Sequence, residues 1–150
     1  MEDAKRQALA RTARAGAAEL LPRQLALLER ICALDSGTGN EAGNAAVIEL
    51  LLPEPGLGAH LVARVRPEQP RGKVLLAAHL DTVFGPGFAE KHPFRIEGGW
   101  AHGLGAGDCK SGVLISLFGA LLLKNAGLLP PWELTYLFTC DEETGSQSGQ

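Results

Sequence analysis

The first part of the chain carries apolar residues at helical spacing. Between about Lys5 and Ala33, alanine, leucine, arginine and glutamate predominate, and most of these residues are good helix formers. Large apolar side chains recur within this segment at Leu20, Leu21, Leu25, Leu28 and Ile31. The pattern predicts a long helix, which Pro22 would break or restart. A polar loop over Asp35–Asn40 follows, and then a second helix over about Glu41–Leu52 that Pro53 and Pro55 end.

Apolar runs later in the chain predict strands that alternate with a helix. The predicted strands are Leu61–Val65, Lys73–His79 and Glu133–Cys140, with a hairpin of Phe94–Glu97 and Trp100–Ala101 around Gly98 and Gly99. Lys73–His79 and Glu133–Cys140 are continuously apolar, as expected for adjacent parallel strands that are buried on both faces of a sheet. Lys110–Ala126 is an apolar helix with Gly127 as its expected C-cap. This order predicts an α/β fold, with the apolar helix packed across one face of the sheet.

Composition and charge narrow the range of functions. The 150 residues suit at most one domain, and 14 basic against 17 acidic residues give no basic excess, so we expect no nucleic-acid partner. The longest apolar run, Gly112–Leu123, is interrupted by Ser116, so we expect no membrane span. The N-terminus is charged throughout and does not resemble a secretory signal. The three scattered cysteines do not form a disulfide framework, and we therefore expect a cytoplasmic protein.

The first candidate motif is His79-Leu80-Asp81-Thr82, directly after a predicted strand. His79 and Asp81 are two positions apart, so in an extended chain they face the same side. Imidazole is a good zinc ligand, and a nearby carboxylate can hold it in place. A single histidine at a strand end also suits a purely structural role, so this motif alone leaves both interpretations open.

The second motif is the glycine-rich segment Gly103–Gly112, which contains Asp108. Glycines allow the backbone to approach a site closely. Asp108 precedes an apolar helix, where aspartate is also a good N-cap. The phosphate-loop pattern is absent, because Lys110 does not follow a glycine.

The third motif places Asp141, Glu142 and Glu143 in a row after a predicted buried strand. Three adjacent carboxylates repel one another unless a cation or solvent meets them. A solvated acidic loop and a cation site are both consistent with this segment alone.

Taken in this order, the three motifs resemble the zinc-dependent aminoacylase and carboxypeptidase superfamily. Its members include glutamate carboxypeptidase, acetylornithine deacetylase and succinyl-diaminopimelate desuccinylase. The likeness runs from about Leu25 to Ser148, and the stretches LERICALDSGTGNEAG, HLDTVF and HPFRIEGGWAHGLGAGD are most similar to the glutamate carboxypeptidase branch. The resemblance implies a three-layer α/β/α catalytic domain with a mostly parallel central sheet, of which residues 1–150 form the N-terminal portion.

The resemblance also implies a role for each site residue. His79 would bind one of two Zn²⁺ ions (or Co²⁺ or Mn²⁺), Glu143 would bind the other, and Asp108 would bridge both. Asp81 would support His79 or the metal cluster, and Glu142 would be the general base. A cis peptide bond is expected at Asp108–Cys109. Two divalent ions about 4 Å apart can hold a hydroxide and polarise a scissile carbonyl.

The function implied is hydrolysis of a peptide or amide bond beside a free carboxylate, in a small peptide or N-acyl amino acid. A deacetylase or desuccinylase of the same superfamily is an alternative, and so is a non-catalytic fragment or remnant. Full-length relatives are often dimers. The family's remaining zinc ligands, its C-terminal catalytic part and its lid or dimerisation domain would lie beyond Gln150, so we expect this chain alone to be incomplete and a poor enzyme.

Four further expectations concern departures from the family pattern. The short connection between Leu52 and Leu61 suggests that an edge strand is lost. His60, His92 and His102 match no ligand position, and the first two are expected to be structural or at the surface. Cys109 is expected to be a small packed side chain rather than a metal ligand. Without metal, repulsion among the acids at positions 108 and 141–143 is expected to raise at least one carboxylate pKa.

Overall fold

The computed structural model describes residues 2–51 and 60–146, and the predicted helices and strands are all found in it with slightly shifted ends. The elements are α1 (Glu2–Cys32), α2 (Glu41–Leu51), β1 (Leu61–Val65), β2 (Gly72–His79), α3 (Phe88–Lys91), β3 (Arg95–Glu97), β4 (Trp100–His102), a turn (Ala106–Lys110), α4 (Ser111–Asn125), β5 (Trp132–Thr139) and a 3₁₀ turn (Glu142–Thr144). The expectation of a lost strand before Leu61 falls on residues 52–59, which lie outside the described ranges.

Helix α1 runs through Pro22 without interruption, so the predicted break there is wrong. Proline lacks an N–H, which deprives one carbonyl of its helical donor and costs about 3 kcal/mol in a helix interior. Tertiary packing outweighs this cost, because α1 lies against α4 and buries Leu28 and Ile31 in the core.

The central sheet has three strands in the order β1-β5-β2. β2 and β5 pair in parallel, from Gly72 opposite Trp132 to His79 opposite Thr139, which confirms that these two strands are neighbours. β1 pairs antiparallel with β5. The described part of the sheet is therefore mixed, with one parallel and one antiparallel pairing. β3 and β4 form the predicted hairpin as a separate pair.

The helices α1, α2 and α4 share one hydrophobic core with one face of the sheet. Leu134, Tyr136 and Phe138 of β5 are buried in it, together with apolar residues of all three helices. On the other face, Leu75 of β2 is 60% exposed and Val62 of β1 is 54% exposed. Within the described part of the chain, β2 is therefore buried on one face only, and the prediction that both of its faces are buried is wrong. The α/β class is confirmed, and these residues form two of the three expected layers.

Helix α4 is the apolar element that joins β2 to β5 across the sheet. The segment Ala106–Asn125 is long and apolar enough to cross a membrane by length and composition alone. In the structure, Val113, Leu114 and Phe118 instead pack into the core. Gly127 follows the helix with a φ of +66°, and its N–H donates to the carbonyl of Lys124, which confirms the predicted C-terminal cap.

Candidate functional site

The three sequence motifs meet at one edge of the sheet, where β2 and β5 end. His79 is the last residue of β2 and pairs with Thr139, the last residue of β5. Because the strands are parallel, the residues that follow them emerge side by side. The structure thus brings His79 and Asp81 beside Glu142, although sixty-one positions separate Asp81 from Glu142.

His79 is buried, and both of its ring nitrogens contact acceptors. Nδ1 lies 3.1 Å from the backbone carbonyl oxygen of Asp81, and Nε2 lies 2.9 Å from Oδ1 of Asp108. A hydrogen bond from Nδ1–H to the carbonyl leaves the Nε2 lone pair available to a metal. Burial lowers the pKa of His79, but the hydrogen bond to Asp108, with the nearby Asp81 and Glu142, outweighs it and raises the pKa above its usual value.

The side chain of Asp108 is 82% exposed and points toward His79 rather than toward the helix that follows. Helix α4 begins at Ser111 after Lys110, without a side-chain cap. The alternative that Asp108 is an N-cap is therefore wrong. The peptide bond Asp108–Cys109 is cis, as the family resemblance implied.

Asp81 is fully buried and connects three segments of the chain. Its Oδ1 accepts the backbone N–H of Glu142 at 3.2 Å, and its Oδ2 accepts that of Glu143 at 3.3 Å. Oδ2 also accepts the hydroxyl of Thr38 at 2.7 Å, whereas Oδ1 lies 3.4 Å from Nδ1 of His79. The carboxylate thus accepts two backbone hydrogen bonds from the Glu142–Thr144 turn and also lies beside the imidazole of His79. Sequence reasoning missed Thr38, whose only signal was its place in a polar loop.

The loop that carries Thr38 runs alongside the residues after β2. The N–H of Thr38 donates to the carbonyl of Thr82, and the N–H of Thr82 donates to that of Ser36, each at 3.0 Å. The buried hydroxyl of Ser36 donates to the carbonyl of Leu80 at 2.9 Å. These bonds explain how a loop more than forty positions away fixes the His79–Asp81 segment.

The glycine-rich segment packs tightly before Asp108. Gly105 has a φ of +69°, and a Cβ there would lie 2.7 Å from Cγ2 of Thr82, so both backbone and space require glycine. Lys110 follows and is fully buried, and its Nζ donates to the carbonyls of Ile31 at 2.9 Å and Leu34 at 3.4 Å. Sequence reasoning gave Lys110 no role, because its partners lie in α1 and in the loop that follows it.

Glu142 and Glu143 begin the 3₁₀ turn after β5. Oε2 of Glu142 lies 3.8 Å from Nε2 of His79, and its side chain is half exposed. Burial raises the pKa of Glu143, His79 opposes the rise, and the charges of Asp108, Asp81 and Glu142 add to it. The pKa of one carboxylate is thus raised as we expected, with burial as the largest single cause and repulsion from neighbouring carboxylates adding to it.

The side chains around His79 suit a metal ion. One ligand atom each from His79, Asp108 and Cys109 lies within 4.8 Å of the other two. Nitrogen, oxygen and sulfur are all donors that zinc accepts. The carboxylates of Glu142 and Glu143 are outside this cluster. The metal and catalytic roles assigned to all these residues, like the number of ions, stay predictions.

The remaining histidines make structural contacts or lie at the surface. Nδ1 of His60 accepts the backbone N–H of Cys140 at 3.2 Å. The ring of His92 stacks on Phe88, with 5.1 Å between centroids. His102 is exposed in β4. These contacts are consistent with the structural and surface positions expected for His60 and His92.

Comparison with known protein families identifies the chain. Residues 75–150 match the family described as Peptidase family M20/M25/M40. The chain belongs to this family. The matched M20 region contains His79, Asp108, Glu142 and Glu143, and the resemblance seen in the sequence is confirmed.

Two relatives of this M20 chain illustrate the likeness. Carboxypeptidase G2 from Pseudomonas sp. (strain RS-16) is 34% identical over 140 residues, which cover 83% of this chain and 34% of that protein. Succinyl-diaminopimelate desuccinylase from Bradyrhizobium sp. (strain ORS 278) is 31% identical over 134 residues, which cover 76% of this chain and 34% of that protein. The chain thus spans about a third of the length of these curated relatives.

Two solved structures share the fold. The dipeptidase Dug1p from Saccharomyces cerevisiae superposes with a TM-score of 0.74 at 15% identity, over 91% of this chain and 35% of that one. Human carnosine dipeptidase 1 superposes with a TM-score of 0.73 at 14% identity, over 93% of this chain and 36% of that one. These similarities show that the M20 chain has the α/β fold of part of those peptidases.

Proposed function

We propose that this M20 chain forms the N-terminal portion of the catalytic domain of a metal-dependent hydrolase. The proposed reaction is cleavage of a peptide or amide bond beside a free carboxylate. One observation carries the proposal: the buried His79 directs Nε2 toward Asp108 at 2.9 Å, at the strand edge where Glu142 also emerges. Family membership supports a peptidase, because residues 75–150 contain each of these side chains.

His79 and Asp108 are the residues that would hold one divalent ion, and Asp108 and Glu143 are proposed for a second. Zinc is the proposed metal, with Co²⁺ or Mn²⁺ as alternatives. A bound ion would polarise the scissile carbonyl and lower the pKa of a water molecule. The raised pKa of His79 belongs to the protein without an ion, since a metal must displace any proton on Nε2.

The chain's own residues would move the proton and fix the geometry. Asp81 accepts the backbone N–H groups of Glu142 and Glu143 and so orients the turn that carries both side chains. Glu142 is half exposed and therefore accessible to water and substrate. In the proposed reaction its carboxylate takes a proton from the attacking water and delivers it to the leaving amine.

Two substrate classes fit the proposed reaction. The 34% identity to carboxypeptidase G2 favours a peptide or an acylated amino acid with a free carboxylate. The 31% identity to a succinyl-diaminopimelate desuccinylase supports N-acyl amino acid hydrolysis as the second candidate. A non-catalytic fragment is the alternative from another class. We also propose a cytoplasmic location, because the three scattered cysteines do not suit a disulfide framework.

The test replaces Glu142 by glutamine and follows zinc-dependent hydrolysis of N-acyl amino acids and glutamyl peptides. We expect low turnover by this chain, and loss of the general base should reduce that turnover by about 10²–10⁴-fold. Zinc affinity, measured by calorimetric titration, should be unchanged, because Glu142 is not among the three clustered ligand atoms.

Glu68→Gln is the matched control, because Glu68 is exposed in the loop between β1 and β2. Turnover that is equal in the Glu142→Gln and wild-type chains would contradict the proposed base. A chain that binds no zinc would contradict the proposed metal site.

A further inference from the structure

Three aromatic rings stack around α3, a short helix that the proposed reaction does not use. The ring centroids of Phe84 and Phe88 are 5.4 Å apart, and those of Phe88 and His92 are 5.1 Å apart, with interplanar angles of 29° and 21°. Phe84 is 36% exposed and Phe88 is 39% exposed, and neither ring belongs to the hydrophobic core of the described residues. The stack therefore presents aromatic surface to the solvent.

The ring stack lines a cavity of about 210 Å³, and Gly103 and Leu104 complete the lining. None of the five lining residues carries a carboxylate, ammonium or guanidinium group, so the cavity suits an apolar group. An apolar cavity of about 150 Å³ is large enough to hold a benzene molecule. The volume and the lining thus match a group of the size of a phenyl ring.

The cavity adjoins the candidate site through both segments that line it. Phe84 is three positions after Asp81, and Leu104 is four positions before Asp108. Because successive Cα atoms are about 3.8 Å apart, the Cα atoms of the first pair are at most about 11 Å apart and those of the second pair at most about 15 Å. A Cβ at Gly105, beside Leu104, would lie 3.2 Å from the carbonyl oxygen of Asp108. A two-residue substrate spans about 7 Å along its backbone, so with its side chain one molecule can reach both places.

One loop fixes the ring stack and the candidate site together. The carboxylate of Asp35 accepts the backbone N–H groups of Gly87 at 2.6 Å and Ala89 at 2.9 Å, at the start of α3. Thr38, in the same loop, donates its hydroxyl to Asp81 at 2.7 Å. A wall that is already held in place loses little conformational freedom when a ligand binds, which favours binding.

We propose that this cavity is the subsite that binds an aromatic ring carried by the substrate. This inference rests on the proposed function and narrows its substrates to small peptides or N-acyl amino acids with one phenyl-sized group. The ring of the substrate would pack against Phe84 and Phe88 in an offset-stacked or edge-to-face arrangement. The subsite takes part in binding and orientation only, and the bond cleavage stays at the site around His79.

The experiment titrates the ¹⁵N-labelled 150-residue chain, with Zn²⁺ added, and follows binding by nuclear magnetic resonance. The probes are N-acetylphenylalanine, N-benzoylalanine and the ring-free N-acetylalanine. Burying part of a phenyl group removes apolar surface from water, so at least one ring compound should bind about tenfold more tightly than N-acetylalanine. It should shift the amide signals of Gly103 and Leu104, and its ring protons should show nuclear Overhauser contacts to the Leu104 methyl groups. Phe88→Ala should reduce its affinity about tenfold, to that of the ring-free compound.

Trp100→Ala is the matched control, because it removes an exposed aromatic ring that does not line the cavity, and it should leave the affinity unchanged. The Overhauser contacts need no substitution, so they test the inference even if Phe88→Ala folds poorly. Equal affinity for all three probes in a chain that binds zinc would overturn the inference and leave the proposed function standing. Ring binding that shows no contact with Leu104 would also overturn it. A chain that binds the ring compounds in the cavity but binds no zinc would overturn the proposed function instead.

Discussion

Replacing Lys110 by methionine tests how the glycine-rich segment is anchored to α1. Lys110 is among the largest fully buried side chains among the described residues. Its Nζ donates to the carbonyl of Ile31, in the last turn of α1, and to that of Leu34 just beyond the helix. Methionine has a similar length and keeps the packing, but it removes the charge and both hydrogen bonds.

The expected cost follows from three contributions. Each hydrogen bond to a charged group stabilises the fold by about 1.5–3 kcal/mol, the longer 3.4 Å bond less than the 2.9 Å bond. A cation at a helix C-terminus adds up to about 2 kcal/mol. Methionine relieves the cost of burying the ammonium group, which is also what lowers the pKa of Lys110. We therefore expect Lys110→Met to lower the free energy of unfolding by about 2–4 kcal/mol.

Urea unfolding followed by circular dichroism measures this difference. In a separate thermal unfolding experiment, the melting temperature should fall by about 5–15 °C, since each kcal/mol lowers it by about 2–4 °C in a chain of this size. Lys124→Met is the matched control, because Lys124 is also near a helix C-terminus but is exposed, and its loss should cost at most about 1 kcal/mol. Equal stability of Lys110→Met and the control would show that the buried ammonium group does not stabilise the fold.

Two further predictions concern a glycine and a carboxylate away from His79. Gly37→Ala should lower the free energy of unfolding by about 1–3 kcal/mol, because the added Cβ would lie 2.1 Å from the carbonyl oxygen of Phe84. The control Gly119→Ala, where a Cβ meets no atom within 4 Å, should instead raise it by about 1 kcal/mol. Equal urea midpoints for the two variants would refute this prediction. The hydrogen bond from Arg66 lowers the pKa of Glu133 below its usual value of 4.5. The stabilisation that this hydrogen bond gives the fold is therefore present above pH 4.5, and it is lost as the pH falls through the lowered pKa of Glu133 in the folded protein. Glu133→Gln should therefore be less stable than wild type at neutral pH and equal to it in strong acid, and a pH-independent difference in urea unfolding would contradict this.

Much of the fold followed from local pattern. The continuous apolar runs at Lys73–His79 and Glu133–Cys140 predicted parallel neighbours, and β2 and β5 pair in this way. Once the strands are parallel, residues after their C-terminal ends must be close together, so the approach of His79 to Glu142 was predictable as well.

The parts that sequence could not give are set by distant contacts. Lys110 reaches a carbonyl 79 positions away, and Thr38 reaches Asp81 across 43 positions, and neither contact has a local signature. The helix break predicted at Pro22 does not occur, because local propensity does not include the packing of α1 against α4. The apolar sequence of β2 does not show which of its two faces other elements cover. Leu75, on the uncovered face, is exposed in the structure.

The three-way attachment of Asp81 has a consequence for the order in which the chain folds. Its carboxylate bonds to residues 43, 61 and 62 positions away, so none of these contacts can form until long loops have closed. Loop closure loses chain entropy before such contacts return any stability, which makes non-local pairing slow. We therefore expect the candidate site to form late in folding, after β5 has paired beside β2 and placed the Glu142–Thr144 turn next to Asp81.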